Sequence, residues 1–165
     1  MDQNYISQED RKFLEKVFAE GAAKLEPENE CWIHGADEGI SYCWDCAEKE
    51  MAMLQKENPD KEYFLSSSDS SEGDGIATCE CCGKVLENCL TSYGCEYEVD
   101  HFLEYGFTPE NPDDCHSMER VIEGRSWEPW AEQVYRDEYE HKSDLAYFDS
   151  LHQLCRGILE QIRKN

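Results

Sequence analysis

The chain has 165 residues, ten cysteines, and 38 acidic against 15 basic side chains, which gives a formal net charge of -23. Such a charge excludes nucleic acid and anionic membranes as expected direct ligands, because both are bound through clustered Lys and Arg. Hydrophobic residues make up only 39% of the chain. An apolar core of ordinary size is therefore excluded too, and we expect the fold to draw stability from another source.

Two helices are predicted in the first third of the chain. Residues 7–20 open on Ser7, a capping residue, with Asp10 three positions later, and their apolar side chains fall on one helical face. Residues 45–57 show helical apolar spacing and are followed by Asn58-Pro59-Asp60, which ends a helix.

The cysteines and the N-terminus together indicate an intracellular metal-binding protein. The first eight residues contain neither a basic stretch nor an apolar one, so we expect no signal peptide, and no apolar run reaches transmembrane length. Closely spaced cysteines in a cytoplasmic protein are metal ligands more often than disulfides. We therefore predict a cytoplasmic location and zinc as the cofactor, with one ion expected and a second one considered.

The segment before the second helix carries two pairs of zinc ligands. Cys31 and His34 form a C-x-x-H-G pattern, and Cys43 and Cys46 form a C-x-x-C pattern after eight intervening residues. Zinc takes four Cys or His ligands in a tetrahedron, and a helix start favours thiolates. These four residues predict one complete, closed zinc site with a structural role. Residues 31–57 resemble zinc-ribbon and treble-clef modules, which implies a small fold built around the metal.

A low-complexity stretch divides the predicted domains. Residues 66–76 are rich in Ser, Gly and acidic residues and have almost nothing to bury, which is typical of a linker. We predict that residues 1–65 hold the N-terminal helix and the first zinc module. Residues 77–165 would then hold a second cysteine-rich hairpin module and the C-terminal helices.

The second module repeats the knuckle pattern. Cys79 and Cys82 form C-x-x-C-G-K, and the alternation of apolar and polar residues over 92–100 predicts a strand whose hairpin partner is 85–90. We predict a second zinc held by Cys79 and Cys82, completed by His101 and Cys115. Cys89, Cys95 and His116 remain alternative ligands, and the alternative without metal is a core of buried cysteines.

The remaining segments are predicted as a loop and helices. Residues 106–114 form the loop, and Met118 to Ile122 a short helix. A helix carrying Trp127 and Trp130 then runs towards Tyr139, and a second one starts at Ser143 and carries an apolar stripe that includes Cys155. An antiparallel helical hairpin is the simplest arrangement of the two, and a coiled-coil seam to a partner is the alternative.

The negative charge is concentrated in the second module, where residues 96–123 hold nine acidic side chains and one basic one. On the predicted strand, alternate carboxylates would form a row with a spacing of about 6.6 Å. Such a row is either a solvated face that keeps the protein soluble or a surface that imitates a nucleic-acid backbone. The candidate partner-binding residues are Glu96, Glu98, Asp100, Glu104, Asp113 and Asp114.

These observations predict an α+β fold of small zinc-stabilised modules with an N-terminal helix and a C-terminal helical hairpin. The leading hypothesis is a non-enzymatic, acidic protein that binds a basic surface of a partner protein, with no catalytic residues. Its concrete form is a nucleic-acid mimic that inhibits a nucleic-acid-handling protein, as phage or mobile-element counter-defence factors do. A zinc-dependent hydrolase or nuclease is one alternative, and a helical adaptor with exposed Trp127 and Trp130 is another.

Overall fold

The structure is a computed structural model, and it describes residues 6–20, 27–69, 71–124, 127–135 and 142–164. The chain forms two compact units, a helical unit of residues 1–25 with 91–165 and a mixed unit of residues 26–90. The elements in chain order are α1 (Gln8–Glu20), β1 (Glu28–His34), α2 (Trp44–Glu57), β2 (Phe64–Ser68), β3 (Glu72–Gly73), β4 (Leu86–Glu87), β5 (Cys89–Leu90), α3 (Ser92–Tyr105), α4 (Pro112–Gly124), α5 (Trp127–Val134) and α6 (Lys142–Arg163).

Helices together with a small sheet agree with the predicted α+β class. Within the part of the chain that the structure describes, no helix combines the length and the apolar character needed to cross a bilayer.

Both helices predicted in the first third of the chain are present, because each has a strong local start or stop signal. The Asp10 amide donates to Ser7 Oγ over 3.0 Å, and Ser7 Oγ donates to the Asp10 carboxylate over 2.6 Å, which is the expected capping box. At the other helix, α2, the amide of Asn58 donates to the carbonyl of Leu54 before the chain turns away.

The strand predicted for residues 92–100 is wrong, because this segment is the helix α3. Thr91 caps it by accepting a hydrogen bond from the Gly94 amide over 3.1 Å. Cys95, Val99 and Phe102, at steps of four and three, are its buried residues together with Gly94. Apolar and polar residues alternate in this segment, but its apolar residues also recur with a helical period. Burial of one helical face decides in favour of the helix.

The predicted hairpin partner over residues 85–90 holds two short strands that pair elsewhere. β4 runs parallel to β1, with Glu28 opposite Leu86, and β5 runs parallel to β3. The predicted loop over residues 106–114 is shorter than expected, since α4 begins at Pro112. Asn111 and Asp114 bond to each other over 3.0 Å at this helix start.

The helical unit is organised around α6, which contacts α1, α3, α4 and α5. Phe148 of α6 lies at its centre, with ring centroids 6.1 Å from Phe102 and 4.5 Å from Trp127. α5 and α6 are the two predicted C-terminal helices. α6 begins at Lys142, one residue before the predicted cap Ser143, and the predicted extension of α5 to Tyr139 lies outside the described residues.

The mixed unit is built around β1, which lies between β2 and β4 in a three-stranded sheet. β2 is antiparallel to β1, with Glu30 opposite Ser68 and His34 opposite Phe64. α2 packs against this pair of strands. The fully buried core is small and includes three cysteines; its members are Cys31, Ile33, Tyr42, Cys43, Ala47, Cys79 and Leu86.

The predicted linker over residues 66–76 is part of this mixed unit. Its first residues complete β2, and β3 lies inside it. Ser71 donates a hydrogen bond to the buried carboxylate of Glu30, which also accepts one from Ser41. The two serines therefore provide hydrogen bonds to a buried carboxylate. The two units of the structure divide the chain differently from the predicted domains.

Candidate metal centre

The first cysteine pair is positioned by β1 and α2. Cys31 and Tyr42 exchange two backbone hydrogen bonds of 2.9 and 3.0 Å, which returns the chain from β1 to the start of α2. Cys43 is the N-cap residue of α2, and Cys46 lies in its first turn. Residues three apart in a helical turn face the same side, so both sulfurs point to one place.

The second pair lies on a tight hairpin. The Cys79 amide donates to the Lys84 carbonyl and the Gly83 amide donates to the Cys79 carbonyl, both over 2.8 Å. Gly83 has a φ of 70°, a left-handed conformation that lets the turn close with little strain. The Glu80 amide donates to the carbonyl of Ser41 over 3.0 Å. This bond ties the hairpin to the segment that leads into the first pair.

The two pairs bring four sulfurs together. The Sγ atoms of Cys43, Cys46, Cys79 and Cys82 all lie within 4.8 Å of one another. Those of Cys43 and Cys82 are 3.8 Å apart. Four sulfurs in a tetrahedron with Zn–S bonds of about 2.3 Å would be separated by about 3.8 Å. The donor set and its spacing therefore fit a zinc ion.

The electrostatics of the four thiols also suit a cation. The pKa of Cys79 is lowered to about 6: burial raises it, but hydrogen bonds from the backbone amides of Cys43, Cys82 and Cys81 outweigh burial. Burial raises the pKa of Cys43. The hydrogen bond between the Cys46 and Cys43 thiols raises the pKa of Cys46. Four thiolates cannot be this close without a positive charge, so a dication would displace their protons.

The structure does not bring Cys31 and His34 into one ligand group with Cys43 and Cys46. Both residues lie on the extended strand β1, where residues three apart point to opposite faces and lie about 10 Å apart. Cys31 is buried, donates to the Asn29 carbonyl over 3.6 Å, and has a pKa raised by burial and by the nearby Cys43. It is a core thiol beside the sulfur cluster.

His34 lies on the other, exposed side of β1. Its Nε2 is 2.6 Å from the hydroxyl of Ser66, and its ring stacks on that of Phe64 with centroids 4.4 Å apart. Gly35, the glycine of the C-x-x-H-G pattern, has a φ of 91°, and an added Cβ would lie 2.7 Å from the carbonyl oxygen of Glu62. The glycine therefore serves a close approach of two backbone segments.

His101 and Cys115, predicted to complete a second site, are not among the clustered ligands of the described residues. The ring of His101, on α3, lies against that of Tyr105, 5.1 Å away between centroids. Cys115 is buried in α4 and donates to the carbonyl of Pro109 over 3.3 Å. The described residues contain a single group of three or more clustered metal ligands, and it includes neither of them.

One signal in the sequence could have identified the grouping that the structure shows. Cys43 with Cys46 and Cys79 with Cys82 are the only two C-x-x-C pairs in the chain. Pairing like with like across the 32 intervening residues gives the four sulfurs that the structure brings together. The competing C-x-x-H pair was closer in sequence, but it occurs in a strand, which cannot turn to present two ligands at one ion.

The candidate partner-binding acids lie on helices, and their arrangement differs from the predicted row. Glu96, Asp100 and Glu104 are four residues apart on α3, about 6 Å per step, while Glu98 lies on another side of the helix. Glu104 and Asp113 are exposed. Asp114 is buried and accepts hydrogen bonds from the Thr108 amide and Asn111.

The Trp pair does not present the exposed surface that an adaptor would need. Trp127 is 2% exposed, and its indole N–H donates to the Asp149 carboxylate. Trp130 packs edge-on against Trp127 with centroids 5.6 Å apart.

No protein-family model matches the chain, and comparison with curated proteins and with solved structures gives no significant match.

Proposed function

We propose that the chain is a non-enzymatic, zinc-stabilised protein that binds a basic surface of a partner protein through its acidic helical unit. The observation that carries this proposal is the distribution of charge. Within the helical unit, residues 91–119 contain eight acidic side chains and no Lys or Arg. Seven of the eight lie on α3 or α4, so these carboxylates are held on rigid elements.

The candidate metal centre supports a structural role for zinc. Four cysteine sulfurs would fill all four positions of a tetrahedral ion, whereas a catalytic zinc keeps one position for water or substrate. The alternative of a zinc-dependent hydrolase or nuclease has no such open position to support it. A zinc bound by four thiolates would also add two negative charges to a chain that is already at -23.

In its concrete form, the partner is a nucleic-acid-handling protein, and the chain occupies its basic groove. The carboxylates of α3 recur about every 6 Å along the helix. A basic groove that binds phosphates would be attracted to such a series by the same long-range field. A phage or mobile-element inhibitor of a defence protein is the setting in which such competition is useful.

The test is capture of purified DNA-binding enzymes by the immobilised, zinc-loaded full chain in about 50 to about 500 mM NaCl. We expect binding to weaken steeply with salt and to be displaced by a DNA duplex of about 20 base pairs. An unrelated protein of similar net charge serves as the control. Capture that ignores salt and duplex DNA, or that the control reproduces, would refute the proposal.

A further inference from the structure

The outward side of α3 carries a line of aromatic residues. Tyr93, Tyr97 and Tyr105 are 64%, 60% and 70% exposed, and His101 occupies the position between the last two. These four residues follow one another at steps of four, about 6 Å per step along the helix. We call them the α3 tyrosine face. Among the described residues, α3 packs through its opposite side, where Cys95, Val99 and Phe102 are buried.

Each of the first three aromatic residues has a carboxylate three positions later. Residues at i and i+3 are neighbours on a helix surface, with Cβ atoms about 5–6 Å apart. An aromatic ring and a negative charge therefore recur side by side along the helix. The three pairs are Tyr93 with Glu96, Tyr97 with Asp100, and His101 with Glu104.

Several of these groups are already held in place. The hydroxyl of Tyr135 donates to the Asp100 carboxylate over 2.8 Å, which fixes one of the three charges. A hydrogen bond to Glu104 raises the pKa of Tyr105. The His101 and Tyr105 rings are in contact at 5.1 Å. Such order lowers the entropic cost of binding a ligand.

The charge around this face selects the occupant. The nearest basic residues in the sequence are Lys84 and Arg120, and all nine charged side chains between them are acidic. A cation that is also flat enough to lie on an aromatic ring would satisfy both parts of each pair. Guanidinium has this shape, stacks on tyrosine, and forms paired hydrogen bonds with a carboxylate, whereas ammonium is a strongly hydrated point charge.

We propose that the α3 tyrosine face binds an arginine-rich segment of the partner protein, with guanidinium groups stacked on the tyrosines and paired with the adjacent carboxylates. The inference rests on the proposed function, since it names the chemistry of the basic surface. Each exposed stacking contact changes affinity about two- to fivefold. Three contacts would raise the affinity of an arginine segment by about 10- to 100-fold, and a lysine segment would gain only part of this because its ammonium is strongly hydrated.

The test compares peptides of nine arginines and nine lysines, binding to the zinc-loaded full chain at low and moderate salt. We expect both to bind, the arginine peptide severalfold more tightly. Backbone NMR shifts on adding the arginine peptide should be largest over α3. Equal affinities, or shifts concentrated elsewhere, would overturn the inference. If neither peptide binds, the proposed function fails with it.

Double variants test the contributions of the tyrosine rings and of the carboxylates to binding separately. Tyr93→Leu with Tyr97→Leu keeps apolar bulk and helix propensity but removes two of the three tyrosine rings, so the preference for arginine should fall severalfold, to what Tyr105 and the carboxylates retain, while both peptides still bind. Glu96→Gln with Glu104→Gln should weaken both peptides more than Glu48→Gln with Glu57→Gln, which makes the same change of charge on α2. Equal losses from the two glutamine pairs would refute a site on α3.

Discussion

Replacing Cys79 with serine removes one of the four clustered sulfurs, the one whose pKa is lowered to about 6. Structural zinc contributes about 10–16 kcal/mol of folding free energy, so one sulfur carries about 2.5–4 kcal/mol. The mixed unit spans 65 residues and has a core of seven fully buried residues. A unit of this size has a total stability of about 3–10 kcal/mol. The substitution therefore removes a large part of that stability.

The assay is zinc content per chain by elemental analysis after gel filtration, with urea unfolding of the same samples. We expect one zinc in the wild-type chain and a loss of zinc affinity of about 10²- to 10³-fold in Cys79→Ser. The matched control is Cys31→Ser, which changes a buried thiol beside the cluster at a cost of about 1–3 kcal/mol. This variant should keep its zinc. Loss of zinc from Cys31→Ser, or full retention in Cys79→Ser, would refute the grouping.

Three further substitutions test other parts of the fold. His152 is buried, and its Nε2 has no hydrogen-bond partner among the described residues. Burial lowers its pKa from 6.5 to about 4. The free energy of unfolding should therefore fall by about 3 kcal/mol as the pH drops from above 6.5 to about 4. Urea midpoints from pH 7 to 4 should show this loss in the wild type relative to His152→Phe, and parallel curves would contradict it. Gly35→Ala should lower thermal stability by at least about 2 kcal/mol, because φ is 91° and the new Cβ meets the Glu62 carbonyl. Gly39→Ala, with a φ of 84° but open space, should cost clearly less in the same melt. Cys155→Ser places a hydroxyl in the core of the helical unit and should cost about 1–3 kcal/mol by urea unfolding, without loss of zinc.

Local signals predicted the elements whose start and stop are encoded next to them. α1 has its capping box, and α2 has Asn58 and Pro59 at its end, so both are close to their predicted bounds. α3 shows where such signals fail. Its alternating residues suit a strand, and its capping residue Thr91 is a weak indication by itself. Only the packing of Cys95, Val99 and Phe102 into one core makes the helix the better solution.

The four clustered cysteines show the same difference between what local sequence predicts and what long-range contacts decide. All four cysteines of the cluster were recognisable in the sequence as members of C-x-x-C pairs, because that spacing suits a knuckle wherever it occurs. Which pairs share an ion depends on the bridge between Cys31 and Tyr42 and on the bond between Glu80 and Ser41. These contacts join segments far apart in the chain, and no local pattern records them.

The sequence by itself determined which chemical groups this protein carries. It has a strong negative charge, two cysteine knuckles and too few apolar residues for a large core. Tertiary structure alone decided which cysteines meet, and that the acidic segment from Ser92 to Tyr105 is a helix with tyrosines beside its carboxylates. The reason is physical. Ligand type, charge and hydrophobicity belong to individual residues, whereas proximity and the direction of a side chain follow from long-range pairing of backbone and from shared burial.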